Sequence, residues 1–101
     1  MKSDITAELL LLKTLAGAAF GLKLKQIAAR KEFRAIPNNP FIYTVGGEQD
    51  ADYPSLLNAA YKAVEHGYRV FILPNPHGIK TADFIFERRG VYKLFDLKNI
   101  S

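Results

Sequence analysis

Thr81-Ala-Asp-Phe-Ile-Phe-Glu-Arg-Arg-Gly-Val-Tyr-Lys-Leu-Phe-Asp-Leu-Lys98 holds two runs of aromatic and aliphatic residues on either side of Arg88-Arg-Gly90. Such runs suit a pleated, half-buried surface, and a glycine between them suits a tight turn. The stretch reads as a hairpin: a strand over 81–87, a turn at 88–90 and a strand over 91–98. Alternation puts Asp83, Ile85 and Glu87 on one side of the first strand, with Ala82, Phe84 and Phe86 on the other. Tyr92, Leu94, Asp96 and Lys98 share a face of the second. With the turn centred between Arg89 and Gly90, Asp83 falls opposite Asp96, about 5 Å away between Cβ atoms.

Two carboxylates that close repel one another, and a cation between them relieves the repulsion. Oxygen donors in a chain without cysteine suit Mg²⁺ or Mn²⁺ better than zinc. Such an ion binds a phosphate oxygen and activates water. Lys98, two residues beyond Asp96, is placed to position that water or to hold the anionic transition state. The catalytic candidates are thus Asp83, Asp96 and Lys98, with Asp83 and Asp96 as the metal ligands. The plainer alternative is two solvent-facing acids near a strand end, with a lysine paired to either. Both acids sit in apolar runs, where an unpaired carboxylate is costly, and this favours the site. The preceding turn-rich loop supplies His77, Lys80 and Thr81 as candidate substrate-binding groups. A second chemistry is also open, a metal-independent ribonuclease using His77 as general base with Lys80, Thr81 or Arg88, and a third reading is a non-enzymatic interaction module that docks a partner through its N-terminal leucine face.

Upstream of the hairpin, Arg69-Val-Phe-Ile-Leu73 reads as a buried strand ended by Pro74. Tyr53 to His66 reads as a helix, with Pro54 in its first turn, Leu56, Leu57, Ala60, Ala63 and Val64 on its apolar face, and Gly67 as its stop. Further back, Ser3 and Asp4 offer N-cap oxygens to a helix starting near Ile5. Ile5, Leu9, Leu12, Leu15 and Ala16 share one face of it. Leu10 and Leu11 widen that face, which implies burial or docking on a partner. Gly17 and Gly21 allow a bend, and a second helix is expected over 22–33. Lys23, Lys25, Arg30, Lys31 and Arg34 form a basic cluster, read chiefly as a solvated face. Ile36-Pro-Asn-Asn-Pro40 breaks the helix, and Phe41-Ile-Tyr-Thr-Val45 is a short strand candidate. The expected organisation is a helical segment over 1–36, a linker over 37–52 and an α-β-β-β core over 53–101. The class is α+β: N-terminal helices, then a helix followed by a three-stranded, mostly antiparallel sheet.

The 101 residues fit one small domain, with 49% hydrophobic and 24% charged residues. Lys and Arg outnumber Asp and Glu by 14 to 10, a mildly basic balance compatible with a polyanion partner. The absence of cysteine excludes disulfides and thiolate metal sites. The apolar run over 9–20 is interrupted by Lys13 and preceded by Asp4 and Glu8, so it suits neither a membrane span nor a signal peptide.

Gly67-Tyr-Arg-Val-Phe-Ile-Leu-Pro-Asn75, Gly78-Ile-Lys-Thr-Ala-Asp83 and Tyr92-Lys-Leu-Phe-Asp-Leu-Lys98 together resemble the PD-(D/E)xK nuclease superfamily. Within it, the pattern is most similar to the nuclease tips of contact-dependent inhibition and other polymorphic toxins. The resemblance covers 53–101. It implies a partial restriction-endonuclease-like core, with Asp83 and Asp96 as metal-binding acids, Lys98 as the catalytic lysine and Mg²⁺ or Mn²⁺ as cofactor. It also implies a nucleic acid substrate (RNA, particularly tRNA, ahead of DNA), an immunity protein as partner, and action in the cytoplasm, either resident or delivered there as a toxin tip. Three departures stand out. The acid often found in the superfamily's first core helix has no clear counterpart among Glu48, Asn58 and Glu65. Ala82 replaces the proline of the name. The superfamily core normally continues past the acid-x-Lys strand, so 53–101 is expected to be a shortened or truncated core. Self-association through the first helix or an exposed strand edge is a further expectation.

Overall fold

The computed structural model describes residues 5–45, 53–74 and 82–96. The expected caps Ser3 and Asp4, the acidic loop over 46–52, the loop residues His77, Lys80 and Thr81, and Lys98 all lie outside the described residues.

Helix α1 (Ile5–Leu11) runs into a single 3₁₀ turn at Leu12–Thr14. The Thr14 hydroxyl donates to the Leu11 carbonyl at 2.7 Å and closes that turn. Leu15 and Ala16 are extended, and α2 (Gly17–Ala28) starts after them. The break falls earlier than expected, and α2 runs straight through Gly21. Gly17 is the glycine that makes the corner: its φ of 60° is strained for any residue with a Cβ.

The strands are β1 (Phe33–Ile36), β2 (Asn39–Val45), β3 (Arg69–Ile72), β4 (Phe84–Arg88) and β5 (Val91–Phe95), with α3 (Tyr53–Glu65) between β2 and β3. They form one mixed sheet in the order β1-β2-β3-β4-β5. The fold is α+β, but among the described residues the sheet has five strands rather than the expected three. The second helix does not reach Phe33. Instead Phe33–Ile36 turns at Pro37-Asn38 and pairs antiparallel with β2. The proline signal that suggested a helix end before a linker is the tip of a hairpin. The stretch expected as a linker thus contains a strand, Asn39–Val45, inside the sheet. Phe33 explains the pull towards strand: its ring packs edge-on against Phe71, 5.5 Å between centroids. β2 and β3 are parallel, which needs a crossover, and α3 supplies it. The other neighbours are antiparallel.

Alternation sorts the sheet into two apolar faces. Phe71, Leu73 and Ile85 pack with Ile5, Leu9, Leu12, Leu24 and Ile27 under α1 and α2. Ile42, Val70, Ile72 and Phe84 pack with Leu56, Ala60 and Ala63 under α3. Leu24, Ile27 and Ile85 are fully buried, each contributing about 1.5–3 kcal/mol by removal from water. The wide leucine face of α1 is only partly used, since Leu10 and Leu11 remain exposed. No described helix is long and apolar enough to cross a membrane.

Candidate functional site

The β4–β5 hairpin fixes the site. Its two-residue turn is Arg89-Gly90, with Arg88 opposite Val91 and Phe84 opposite Phe95. This is the register expected from the turn residues. The paired ladder ends at Phe84–Phe95, one step short of Asp83 and Asp96. The ladder loosens there: Asp83 sits at a bend, and its N–H donates to the Phe95 carbonyl at 3.2 Å. On the other side, the Leu73 N–H donates to the Asp83 carbonyl at 2.8 Å. Asp83 is half-buried at the centre of three strand ends, and Asp96 is exposed.

Asp96 opens onto a cleft of about 400 Å³ lined by Leu9, Leu12, Lys13, Phe20, Ala82 and Leu94. The walls come from α1, the 3₁₀ turn and α2 on one side and from the hairpin on the other. Lys13, which interrupts the leucine run of the sequence, supplies a cation, and Asp96 supplies the carboxylate. The rest of the wall is apolar. In the sequence Lys13 stands out only as the charge that interrupts an apolar run. Its role at the cleft depends on how α1 docks across the sheet, which no local pattern encodes.

The helix expected to offer a third acid is on the wrong side. α3 packs on the Ile42–Val70–Phe84 face, away from the side on which Leu94 and Asp96 line the cleft. Its Asn58 and Glu65 are exposed, and Glu48 lies outside the described residues. A further described acid on the α1–α2 side of the sheet is Glu8 of α1. It binds Lys23 at 3.2 Å and also pairs with Arg30, so it is committed to joining α1 to α2. The basic cluster is correspondingly reduced, because Lys23 and Arg30 are both engaged and Arg30 also holds Glu32 at 2.8 Å. Of the two histidines, only His66 is described. It is exposed, and its carbonyl accepts from Arg88 at 3.2 Å.

Glu87 shares a strand with Asp83 but has a different task. It pairs with Arg69 across β3–β4 and accepts the Gly90 N–H at 2.8 Å. The Arg69 bond, then the Gly90 bond, hold its carboxyl below the ordinary carboxylate range. Arg69 also lies 6.0 Å from the centre of the Tyr43 ring and 5.5 Å from that of Phe71, and reaches the Tyr92 hydroxyl at 3.5 Å. This cluster anchors the turn end of the hairpin and leaves the Asp83–Asp96 end open.

Among the described residues no group of three or more acids or histidines is placed to hold a metal. The described donors are the two carboxylates at the hairpin's open end. Carboxylates are hard oxygen donors, the ligand type that Mg²⁺ and Mn²⁺ take. No protein-family model, curated protein or solved structure matches the chain.

Proposed function

We propose that this chain is the core of a metal-dependent nuclease that hydrolyses phosphodiester bonds, with RNA ahead of DNA as substrate. The observation that supports this most is the register of β4 and β5, Phe84 opposite Phe95, which leaves Asp83 and Asp96 just beyond the paired ends of neighbouring strands, with Asp96 at the cleft. Asp83 and Asp96 are the oxygen donors for Mg²⁺ or Mn²⁺. A cation held there polarises a phosphate oxygen and lowers the pKa of water. Lys13 attracts a phosphate to the cleft. Leu9, Leu12, Phe20 and Leu94 keep bulk water away from the reacting group and so strengthen each charge inside. Lys98 follows Asp96 by two residues, where an ammonium stabilises charge developing on phosphorus oxygens. His77, Lys80 and Thr81 are the substrate-contacting groups of this reading.

The test is cleavage of labelled tRNA and of labelled DNA with Mg²⁺ or Mn²⁺. We expect product from the wild-type chain, and a loss on the order of a hundredfold or more in Asp96→Ala and in Lys98→Ala. Chelation should abolish the activity. Asp96 is exposed, so its replacement should leave the melting temperature nearly unchanged. If no substrate is cut above the Asp96→Ala background under any condition, the enzymatic reading fails. Cleavage that survives chelation points instead to a metal-independent route through His77.

A further inference from the structure

The two faces of the β4–β5 hairpin differ in what covers them. α1 and α2 pack on one. On the other, α3 packs across β2 and β3 and leaves the outer part of the hairpin open. There Phe86 and Arg88 of β4 lie beside Lys93 and Val91 of β5, and Phe95 lies beside Phe84, which is itself buried under α3. Phe86 and Phe95 stack across the strands, 5.0 Å between centroids and 19° between planes. Phe84 continues the stack behind Phe86 at 5.4 Å. The outermost ring, Phe95, is 45% exposed, and Val91 is 56% exposed.

Cations frame these rings. Tyr68, Arg88, Arg89, Val91 and Lys93 line a shallow groove of about 190 Å³ at the turn end. Arg88 is fixed in place: its guanidinium lies 4.6 Å from the centre of the Tyr68 ring, and it donates to the His66 carbonyl. Arg89, Arg88 and Lys93 form no ion pair among the described residues. The acid of the hairpin, Glu87, is turned to the other face and held by Arg69. Arg89 also occupies a position against local preference. Its φ is 54°, followed by Gly90 at 80°, and the first residue of such a turn is normally Asn, Asp or Gly.

We propose that this open hairpin face binds single-stranded nucleic acid. Phosphates pair with Arg88, Arg89 and Lys93, and a base stacks on the exposed Phe95 ring. Aromatic rings interleaved with cations, with no acid on that face of β4 and β5, match a chain that carries a π-face and a negative charge at each unit. An acidic protein would satisfy the cations but gain nothing specific from the stacked rings. The surface lies on the opposite side of the hairpin from the cleft, and its binding does not depend on cleavage.

The experiment is fluorescence anisotropy of labelled oligouridylate and oligothymidylate with the full chain in EDTA, over a series of salt concentrations. Chelation separates binding from catalysis, so this idea and the nuclease reading fail independently. Lys93→Gln and Arg89→Asn should each weaken binding about five- to tenfold and lower the salt slope by about one. Phe95→Ala should weaken it about tenfold. Arg89→Asn should also melt no lower than wild type, so that its lost binding is not lost folding. Lys25→Gln removes the same charge from exposed α2 and should bind as wild type does. The RNA and DNA arms show whether the 2′-hydroxyl matters. The proposal is overturned if Lys93→Gln and Arg89→Asn bind like wild type, or if Lys25→Gln weakens binding as much as they do. It is equally overturned if polyglutamate displaces the labelled strand as well as unlabelled oligonucleotide does, since the surface then takes acidic protein.

Discussion

Glu87 and Asp96 show how one strand pattern assigns acids to different work. Both stand at alternating positions in apolar hairpin strands. Glu87 meets Arg69 in the next strand and the Gly90 N–H in its own turn, so its charge is consumed in structure. Asp96 meets a cleft. The sequence shows the alternation but not the neighbour, because Arg69 comes from a strand whose pairing is set by the whole sheet. The consequence for pH has a definite sign. Glu87 has a folded-state pKa below its unfolded value. Its contribution is therefore complete above the unfolded value of about 4.3 and is lost as pH falls through the lower, folded value. Glu87→Gln should cost about 1 kcal/mol near neutral pH, a modest figure because Arg69 is 40% exposed. Thermal melts of both proteins should converge as the pH drops below about 4. A gap that stays constant across that range would show that the pairing carries no such term.

At the scale of elements, the helices were easier to foresee than their ends. The leucine spacing marks α1 correctly, and Ile5, Leu9 and Leu12 are buried as a stripe should be. The corner falls at 15–17, ahead of the bend that Gly17 and Gly21 suggest, because Leu15-Ala16 is extended and no local signal marks that pair. Likewise Pro37-Asn38 breaks a helix and turns a hairpin with the same residues, and only the partner strand decides between these outcomes. What holds α1 to α2, beyond the shared core, is Glu8 between Lys23 and Arg30. Glu8→Ala should cost about 1–2 kcal/mol and speed amide exchange in α1 more than in α3. Equal acceleration in both helices would mean that the clamp is not local to the α1–α2 pair.

At the scale of the molecule, the hairpin register was legible, while the five-strand sheet and the docking of the helices on the cleft side were not. Turn residues fix a register locally; which face a helix covers depends on contacts far apart in the chain. Both faces belong to one sheet, so the chain should unfold in one step. Ile85→Ala, at a fully buried position, should cost about 2–5 kcal/mol. Far-ultraviolet dichroism and tyrosine fluorescence should give the same midpoint for it and for wild type. Two separated transitions would instead support an independent N-terminal helical unit.

Each strand pairs with its neighbour in sequence, so the sheet can be assembled progressively as the chain lengthens. The cleft cannot. Leu9, Leu12, Lys13 and Phe20 come from early in the chain, and Ala82, Leu94 and Asp96 come from late in it. During synthesis the cleft is therefore completed only after Asp96 has cleared the ribosome, although the first strands can pair well before that.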